Sequence, residues 1–144
     1  MSDAYLVDTG VFVRWFIEQV GFKHALDIQT KFLAGNVELE TVDCARYELA
    51  HVLRTKGYVK KTLTRDEYLA AAQSLDDLDL LIHSTDTAAL ARSAALAADR
   101  NLRFFDALFA DRALERGLPL LTADKKLCNA LAGIVQTELL RGVS

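Results

Sequence analysis

The chain has 144 residues, a net charge of −3 and 51% hydrophobic residues. With seven glycines and one proline it is poor in turn-forming residues, which argues against a disordered chain and against an all-β fold. No apolar run approaches the roughly 18 residues of a membrane span, and the N-terminus has no basic segment followed by an apolar one, so we expect no secretory signal and a cytoplasmic protein.

Apolar periodicity and turn residues predict strands that alternate with helices along the chain. The predicted strands cover residues 4–7, 37–41, 80–82, 119–122 and 134–136. The predicted helices cover residues 11–20, 22–33, 43–56, 64–78, 84–99, 106–116 and 125–131, with Gly57 and Gly117 expected to end two of them. This alternation predicts one α/β domain over residues 1–144, with a mostly parallel sheet of four to five strands flanked by helices.

Two aspartates lie just after predicted strands. Asp8 comes after the first strand, and Asp124 comes after the fourth. Ligands of open α/β sheets bind outside the carboxyl ends of the strands, so both residues are candidates for a functional site. Each could equally be the N-cap of the helix that follows it.

Two further acids lie on predicted helices. Glu48 falls on the flank of a buried stripe formed by Ala45, Leu49, Val52 and Leu53, where a carboxylate needs a partner or a cation unless its side chain reaches water. Asp106 either caps its helix or projects from the N-terminal end of an inward face formed by Phe109, Ala110, Ala113 and Leu114. Asp111 lies about 140° from that face on the wheel, so we expect it to be solvated.

The four acids Asp8, Glu48, Asp106 and Asp124 could therefore meet at one edge of the sheet. Crowded carboxylates repel one another, but they suit hard cations such as Mg²⁺ and Mn²⁺, which can activate water and screen a scissile phosphate. Apart from these four, the chain has 16 acids against 17 Lys and Arg residues, a balance of +1. The overall negative charge therefore does not exclude a nucleic-acid substrate.

The segments around these acids resemble the four acidic motifs of the PIN domain, and most closely those of the VapC-like toxin ribonucleases. The matching segments are YLVDTGVFVRWF, CARYELAHVLR, FFDALFADRALERG and PLLTADKKL, which together cover essentially the whole chain in the right order and spacing. The resemblance implies a Mg²⁺- or Mn²⁺-dependent endoribonuclease that forms a homodimer and is inhibited by a cognate antitoxin. It also implies products with 5′-phosphate and 3′-hydroxyl ends, and transfer RNA as a substrate at the level of the family.

The resemblance assigns a role to each acid. Asp8, Asp106 and Asp124 are the expected metal ligands, and Glu48 is expected to bind the metal through water or to orient the nucleophile. Asp111 departs from the pattern, because many relatives carry a small apolar residue there. Thr122 matches the threonine of the last motif and could hydrogen-bond the acids, although an ordinary strand threonine is the preferred interpretation.

Positive charge for RNA is expected between the second and third motifs. The segment RTKGYVKKTLTR contains five bases and no acid, namely Arg54, Lys56, Lys60, Lys61 and Arg65. It either contacts phosphates or forms a solvated turn between two helices. Lys125 and Lys126, beside Asp124, are a second candidate pair.

Other classes fit less well. Asp8-Thr9-Gly10 spells the aspartic-protease signature, but that enzyme needs two such loops on an all-β fold. A haloacid-dehalogenase-like phosphatase needs a second aspartate at the position of Gly10. One alternative is a non-catalytic PIN-like module that binds RNA or a protein, and the presence of all four acids favours catalysis over it. Another is a DNA- or flap-type nuclease, which the short chain without long insertions to clamp DNA disfavours.

Overall fold

The computed structural model describes residues 3–144, so the first two residues of the predicted domain lie outside the described part. Within that part the strands form one five-stranded parallel sheet. The strands are β1 (Ala4–Val7), β2 (Glu38–Val42), β3 (Leu81–His83), β4 (Leu120–Thr122) and β5 (Thr137–Leu139). Their order is β3-β2-β1-β4-β5, and the predicted α/β class is confirmed.

The central strand β1 organises the core. Tyr5, Leu6 and Val7 have no exposed surface. Because successive side chains of a strand point to opposite faces, helices must cover both faces of the sheet. Strands β2 and β3 lie on one side of β1, and β4 and β5 lie on the other. The direction of winding therefore reverses between β1 and β4, where sheets of this class bind their ligands.

Seven α-helices lie within residues 3–144. They are α1 (Thr9–Val13), α2 (Phe22–Leu33), α3 (Cys44–Val52), α4 (Arg65–Gln73), α5 (Thr87–Arg100), α6 (Phe104–Arg116) and α7 (Lys125–Ala130). Helix α6 packs on β1, β2 and β4, and α5 lies against α6. Helix α1 contacts α2, α3 and β4. None of the helices in this part of the chain is long and apolar enough to cross a membrane.

Helix boundaries follow the predicted signals in two places. The capping box at α4 forms as expected, since Thr64 accepts from the amide of Glu67 and the Glu67 carboxylate accepts from the amide of Thr64. Gly117 ends α6 with φ of 64°, a left-handed conformation that favours glycine.

Other predicted boundaries are wrong. Gly57 does not stop the helix after α3, because a π-helical turn over Leu53–Tyr58 continues through it. A Cβ at Gly57 would lie 2.5 Å from Leu63 Cδ1, so the glycine leaves room for Leu63 to pack. The first helix ends at Val13 rather than near residue 20, and the last strand begins three residues later than predicted, at Thr137.

A buried ion cluster ties the end of α6 to the sheet. The carboxylate of Glu40 on β2 accepts two hydrogen bonds from Arg116, at 2.8 and 3.0 Å, and lies 2.6 Å from Nε2 of His83 on β3. The hydrogen bonds from Arg116, and secondarily from His83, hold the pKa of Glu40 below its usual range. The cluster satisfies a charge that would otherwise be costly to bury.

Candidate active site

A pocket of about 440 Å³ opens beside the carboxyl ends of β1 and β4. The structure brings all four predicted acids to its wall: Asp8, Glu48, Asp106 and Asp124. Asp8 directly follows β1, and Asp124 follows β4 after one intervening residue. Glu48 comes from α3, and Asp106 comes from the first turn of α6. Four separate segments of the chain thus contribute one carboxylate each.

Asp8 is the most buried of the four, with 8% of its surface exposed. Its Oδ2 accepts a hydrogen bond from Thr122 Oγ1 at 2.5 Å. Its Oδ1 is buried and has no hydrogen-bond partner within residues 3–144. Burial raises the pKa of Asp8 to about 7, and the charges of Asp106 and Asp124 add to the increase. The hydrogen bond from Thr122 and the backbone N–H of Val11 oppose it.

Thr122 and Asp124 form one unit at the end of β4. The hydroxyl of Thr122 donates to Asp8 and accepts from the amide of Asp124 at 3.1 Å, so the interpretation of Thr122 as an ordinary strand residue is wrong. Asp124 is exposed, and its Oδ1 accepts from the amide of Leu127 at 3.1 Å. Asp124 is therefore an N-cap of α7 that also faces the pocket.

Glu48 is held by two side chains that the sequence did not single out. Its Oε1 accepts from Thr9 Oγ1 at 2.9 Å, and its Oε2 accepts from Arg103 Nη2 at 3.2 Å. The side chain is 21% exposed, which agrees with its predicted place on the flank of the buried stripe. Thr9 directly follows Asp8, and Arg103 lies three residues before Asp106. This closeness to the acidic motifs was the one feature of the sequence that could have identified Thr9 and Arg103 as residues of the site.

Asp106 is the third residue of α6 and is partly buried. The helix begins at Phe104 with Arg103 as its N-cap, so the interpretation of Asp106 as the cap is wrong. Burial raises the pKa of Asp106, and the carboxylates of Asp124 and Glu48 add to the increase. The positive charge of Arg103 acts in the opposite direction.

The cations at the pocket are only partly those expected. Lys125 and Lys126 line it, together with Arg14 and Arg103. The predicted basic segment lies elsewhere. None of its five bases, all within the described residues 3–144, lines the pocket. They are exposed on the π-helical turn, the following loop and the start of α4: Arg54, Lys56, Lys60, Lys61 and Arg65.

The family model of the PIN domain matches residues 5–131. The chain belongs to the PIN domain family. Its five-stranded parallel sheet flanked by helices is consistent with the PIN fold. No curated protein matches the chain in sequence.

Solved structures with the same PIN fold include three from bacterial toxin–antitoxin systems. A toxin–antitoxin complex from Klebsiella pneumoniae matches with a TM-score of 0.68 and 19% identity, over 96% of this chain and 99% of that one. VapBC-5 from Mycobacterium tuberculosis matches with a TM-score of 0.62 and 24% identity, over 97% and 99%. VapC20 from the same organism, described as a Sarcin-Ricin loop cleaving toxin, matches with a TM-score of 0.69 and 13% identity, over 88% and 94%. At these identities the similarity establishes the fold.

The pocket of this PIN domain suits a hard cation. Its carboxylate oxygens are donors that Mg²⁺ and Mn²⁺ prefer, and Asp8 offers a buried oxygen that no group of residues 3–144 satisfies. As they stand, no three Asp, Glu, His or Cys side chains of the described residues are arranged to hold one ion.

Asp111 of the PIN domain lies outside the pocket, and the expectation that it is solvated is wrong. It is 6% exposed and accepts hydrogen bonds from Arg92 Nε and Nη2 at 3.0 and 3.2 Å. The bond joins α6 to α5. Leu114, expected on the inward face of α6, is instead 55% exposed.

Proposed function

We propose that this PIN domain is a Mg²⁺- or Mn²⁺-dependent endoribonuclease and the toxin of a toxin–antitoxin pair. One observation carries the proposal: four carboxylates from four segments line a single pocket, and the most buried of them keeps an unpartnered oxygen. Burying acids together destabilises a fold unless a ligand compensates. A divalent cation is the ligand that this set of oxygens favours.

We assign the metal to Asp8, Asp106 and Asp124. A cation held there would activate water and stabilise negative charge on the departing oxygen of a phosphodiester. Glu48 binds the cation through water or orients the nucleophile, and its hydrogen bond from Thr9 fixes one of its oxygens for that role. Arg103, Lys125 and Lys126 supply positive charge at the pocket wall, where a phosphate would approach.

The exposed basic segment extends this surface in the proposal. Arg54, Lys56, Lys60, Lys61 and Arg65 lie outside the pocket, where they would contact RNA away from the cleaved bond. Such contacts give affinity that depends on salt, and they carry little sequence information. Transfer RNA is the proposed substrate class.

We also propose a cognate antitoxin and a homodimer as the protein partners, with residues 1–144 as a single domain. Support for the antitoxin comes from the shared fold of this chain with the Klebsiella pneumoniae toxin–antitoxin complex and with VapBC-5. The name of VapC20 adds a precedent for RNA cleavage on the same fold.

Cleavage of a 5′-labelled RNA by the purified chain tests the proposal. We expect products with Mn²⁺ or Mg²⁺, none with chelator, and none from Asp8→Asn. Asp111→Asn is the matched control, because it changes a buried aspartate outside the pocket and should retain cleavage. RNA binding by all three proteins without cleavage by any would instead support the non-catalytic module.

Growth of bacteria that express the chain alone tests the toxin assignment. Wild type should slow growth, and Asp106→Asn should relieve the effect. Equal growth of both cultures at equal soluble protein level would contradict a toxin.

A further inference from the structure

Arg14 is a partly buried guanidinium at the wall of the acid pocket. It follows α1 and is anchored by two backbone carbonyls. Its Nε donates to the carbonyl of Val20 at 2.7 Å, and its Nη1 donates to the carbonyl of Gly10 at 2.8 Å. A guanidinium has five N–H groups, so these anchors fix its position and leave three for another acceptor.

Both of these acceptors are neutral. In the described part of the chain, the side chain of Arg14 forms no ion pair, unlike Arg103, which is paired with Glu48 at the same pocket. Burial lowers the pKa of Arg14, and the charge of Asp8 acts against that effect. A partly buried cation without a close counter-ion is costly, which is expected where an anionic ligand completes the site.

Gly10 keeps a space open in front of this guanidinium. A Cβ at Gly10 would lie 3.6 Å from Arg14 Nη1 and 3.6 Å from the unpartnered Oδ1 of Asp8. Gly10 is the second residue of the short helix α1, and glycine is a poorer helix former than alanine. The glycine thus leaves room between a cation and a carboxylate at a position where the helix itself would favour a side chain.

We propose that Arg14 is a phosphate-binding residue, which holds a backbone phosphate of RNA at the acid pocket beside Gly10. Guanidinium groups pair with phosphates through parallel charge-assisted hydrogen bonds, and the carbonyl anchors preorganise Arg14 for such a pair. The inference rests on the proposed function for the identity of the anion. Arg14 would act together with the more exposed Arg103, Lys125 and Lys126, and it differs from them in being held in place by backbone carbonyls.

RNA binding in chelator tests the role of Arg14 without cleavage. The probe is a 5′-fluorescein single-stranded RNA of 12 nucleotides, measured by anisotropy over a salt series. Arg14→Gln should weaken binding at least threefold and reduce the slope of log K against log salt by about 0.7, the value for one phosphate contact on a single strand. Arg14→Lys should retain most of the slope. Arg112→Gln is the matched control, since Arg112 donates to the carbonyl of Ser84 away from the pocket.

Gly10→Ala tests the space independently of charge. It should melt at or above the temperature of wild type, because alanine favours the helix, and yet bind the RNA at least threefold more weakly. If Arg14→Gln folds and its slope of log K against log salt is the same as that of wild type, the proposal is overturned. The guanidinium of Arg14 would then serve a carboxylate of the protein rather than a phosphate. If Arg14→Gln does not fold, unchanged affinity in Gly10→Ala overturns it.

The two proposals fail separately. If wild type cleaves RNA with Mn²⁺ but Arg14→Gln keeps the full salt slope, the assignment of Arg14 is wrong and the nuclease proposal stands. If wild type does not cleave RNA, but Arg14→Gln lowers both the binding affinity and the salt slope, the nuclease proposal is wrong and the phosphate site stands.

Discussion

Thr122 donates a 2.5 Å hydrogen bond to Oδ2 of Asp8, although the two residues are 114 positions apart in the sequence. The parallel pairing of β1 with β4 brings them together, since Leu6 pairs with Leu120 and Val7 with Leu121. The bond stabilises the ionised form of a carboxylate whose burial favours the protonated form. Thr122 therefore acts against the burial that raises the pKa of Asp8.

Thr122→Val should move the pH dependence of RNA cleavage to higher pH. The valine removes the donor, so the pKa of Asp8 should rise above its value of about 7. If ionised Asp8 holds the metal, activity increases as pH rises through this pKa, and the rising limb should shift upward. The measurement is the rate of cleavage between pH 5.5 and 9 at one Mn²⁺ concentration well below saturation, where protons compete with the metal for Asp8. Thr122→Ser restores the hydroxyl and should restore the profile, whereas identical profiles for all three proteins would contradict the tuning.

Asp8→Asn should stabilise the metal-free protein above neutral pH. The pKa of Asp8 is about 7 in the folded chain, against 3.8 for an unperturbed aspartate. Between these values the folded state keeps a proton that the unfolded chain has lost, so stability falls as pH rises from 4 to 7 and then levels off. The asparagine removes this cost, which is on the order of 4 kcal/mol above pH 7.

Urea unfolding in chelator at pH 4, 6 and 8 measures this effect. The advantage of Asp8→Asn over wild type should be largest at pH 8 and nearly absent at pH 4. Asp111→Asn should instead be less stable than wild type at pH 8 by about 1–2 kcal/mol, because it weakens a charge-assisted bond from Arg92. A constant difference between Asp8→Asn and wild type across the three pH values would rule out the proposed titration of Asp8.

Local patterns were sufficient for the class of fold and for the placement of the acids. The apolar run before Asp8 is a buried strand, and the stripe on α3 correctly left Glu48 on its flank. Both predictions depend on a single element and its period. The rule that ligands bind at the carboxyl ends of parallel strands then places strand-end residues at one edge.

Contacts between distant elements could not be obtained in this way. The helical wheel of α6 treats Asp111 as solvated because it contains no information on α5, which covers that side and supplies Arg92. Gly57 was expected to stop a helix because its local propensity is poor, but packing against Leu63 requires the absence of a side chain there. In each case a tertiary contact overrides a local preference.

Lys60→Glu combined with Lys61→Glu should weaken RNA binding in a salt-dependent way. Both lysines are exposed in the loop after the π-helical turn, away from the acid pocket. Losing two phosphate contacts should reduce the slope of log K against log salt by about 1.4 to 1.8. Lys23→Glu, at an exposed position on α2, is the control and should change the slope less. An unchanged slope in the double variant would place the RNA elsewhere, with Lys125 and Lys126 as the next residues to test.

Asp106→Asn separates a metal site from a set of helix caps. In the metal-free protein it removes one charge from a group of carboxylates that raise the pKa of one another, so the variant should melt at or above the temperature of wild type. A cation that binds only the folded state stabilises it by about 2.7 kcal/mol at a hundredfold excess over Kd. For a chain of this length the gain corresponds to roughly 5 to 10 °C in Tm.

Thermal melts in chelator and in millimolar Mn²⁺ measure the two effects together. Wild type should gain the full shift, and Asp106→Asn should gain clearly less. Asp111→Asn should melt lower than wild type in chelator but gain the full shift in Mn²⁺, because its carboxylate pairs with Arg92 outside the pocket. If wild type shows no shift with Mn²⁺, or if Asp106→Asn shows the same shift as wild type, Asp106 is not a metal ligand.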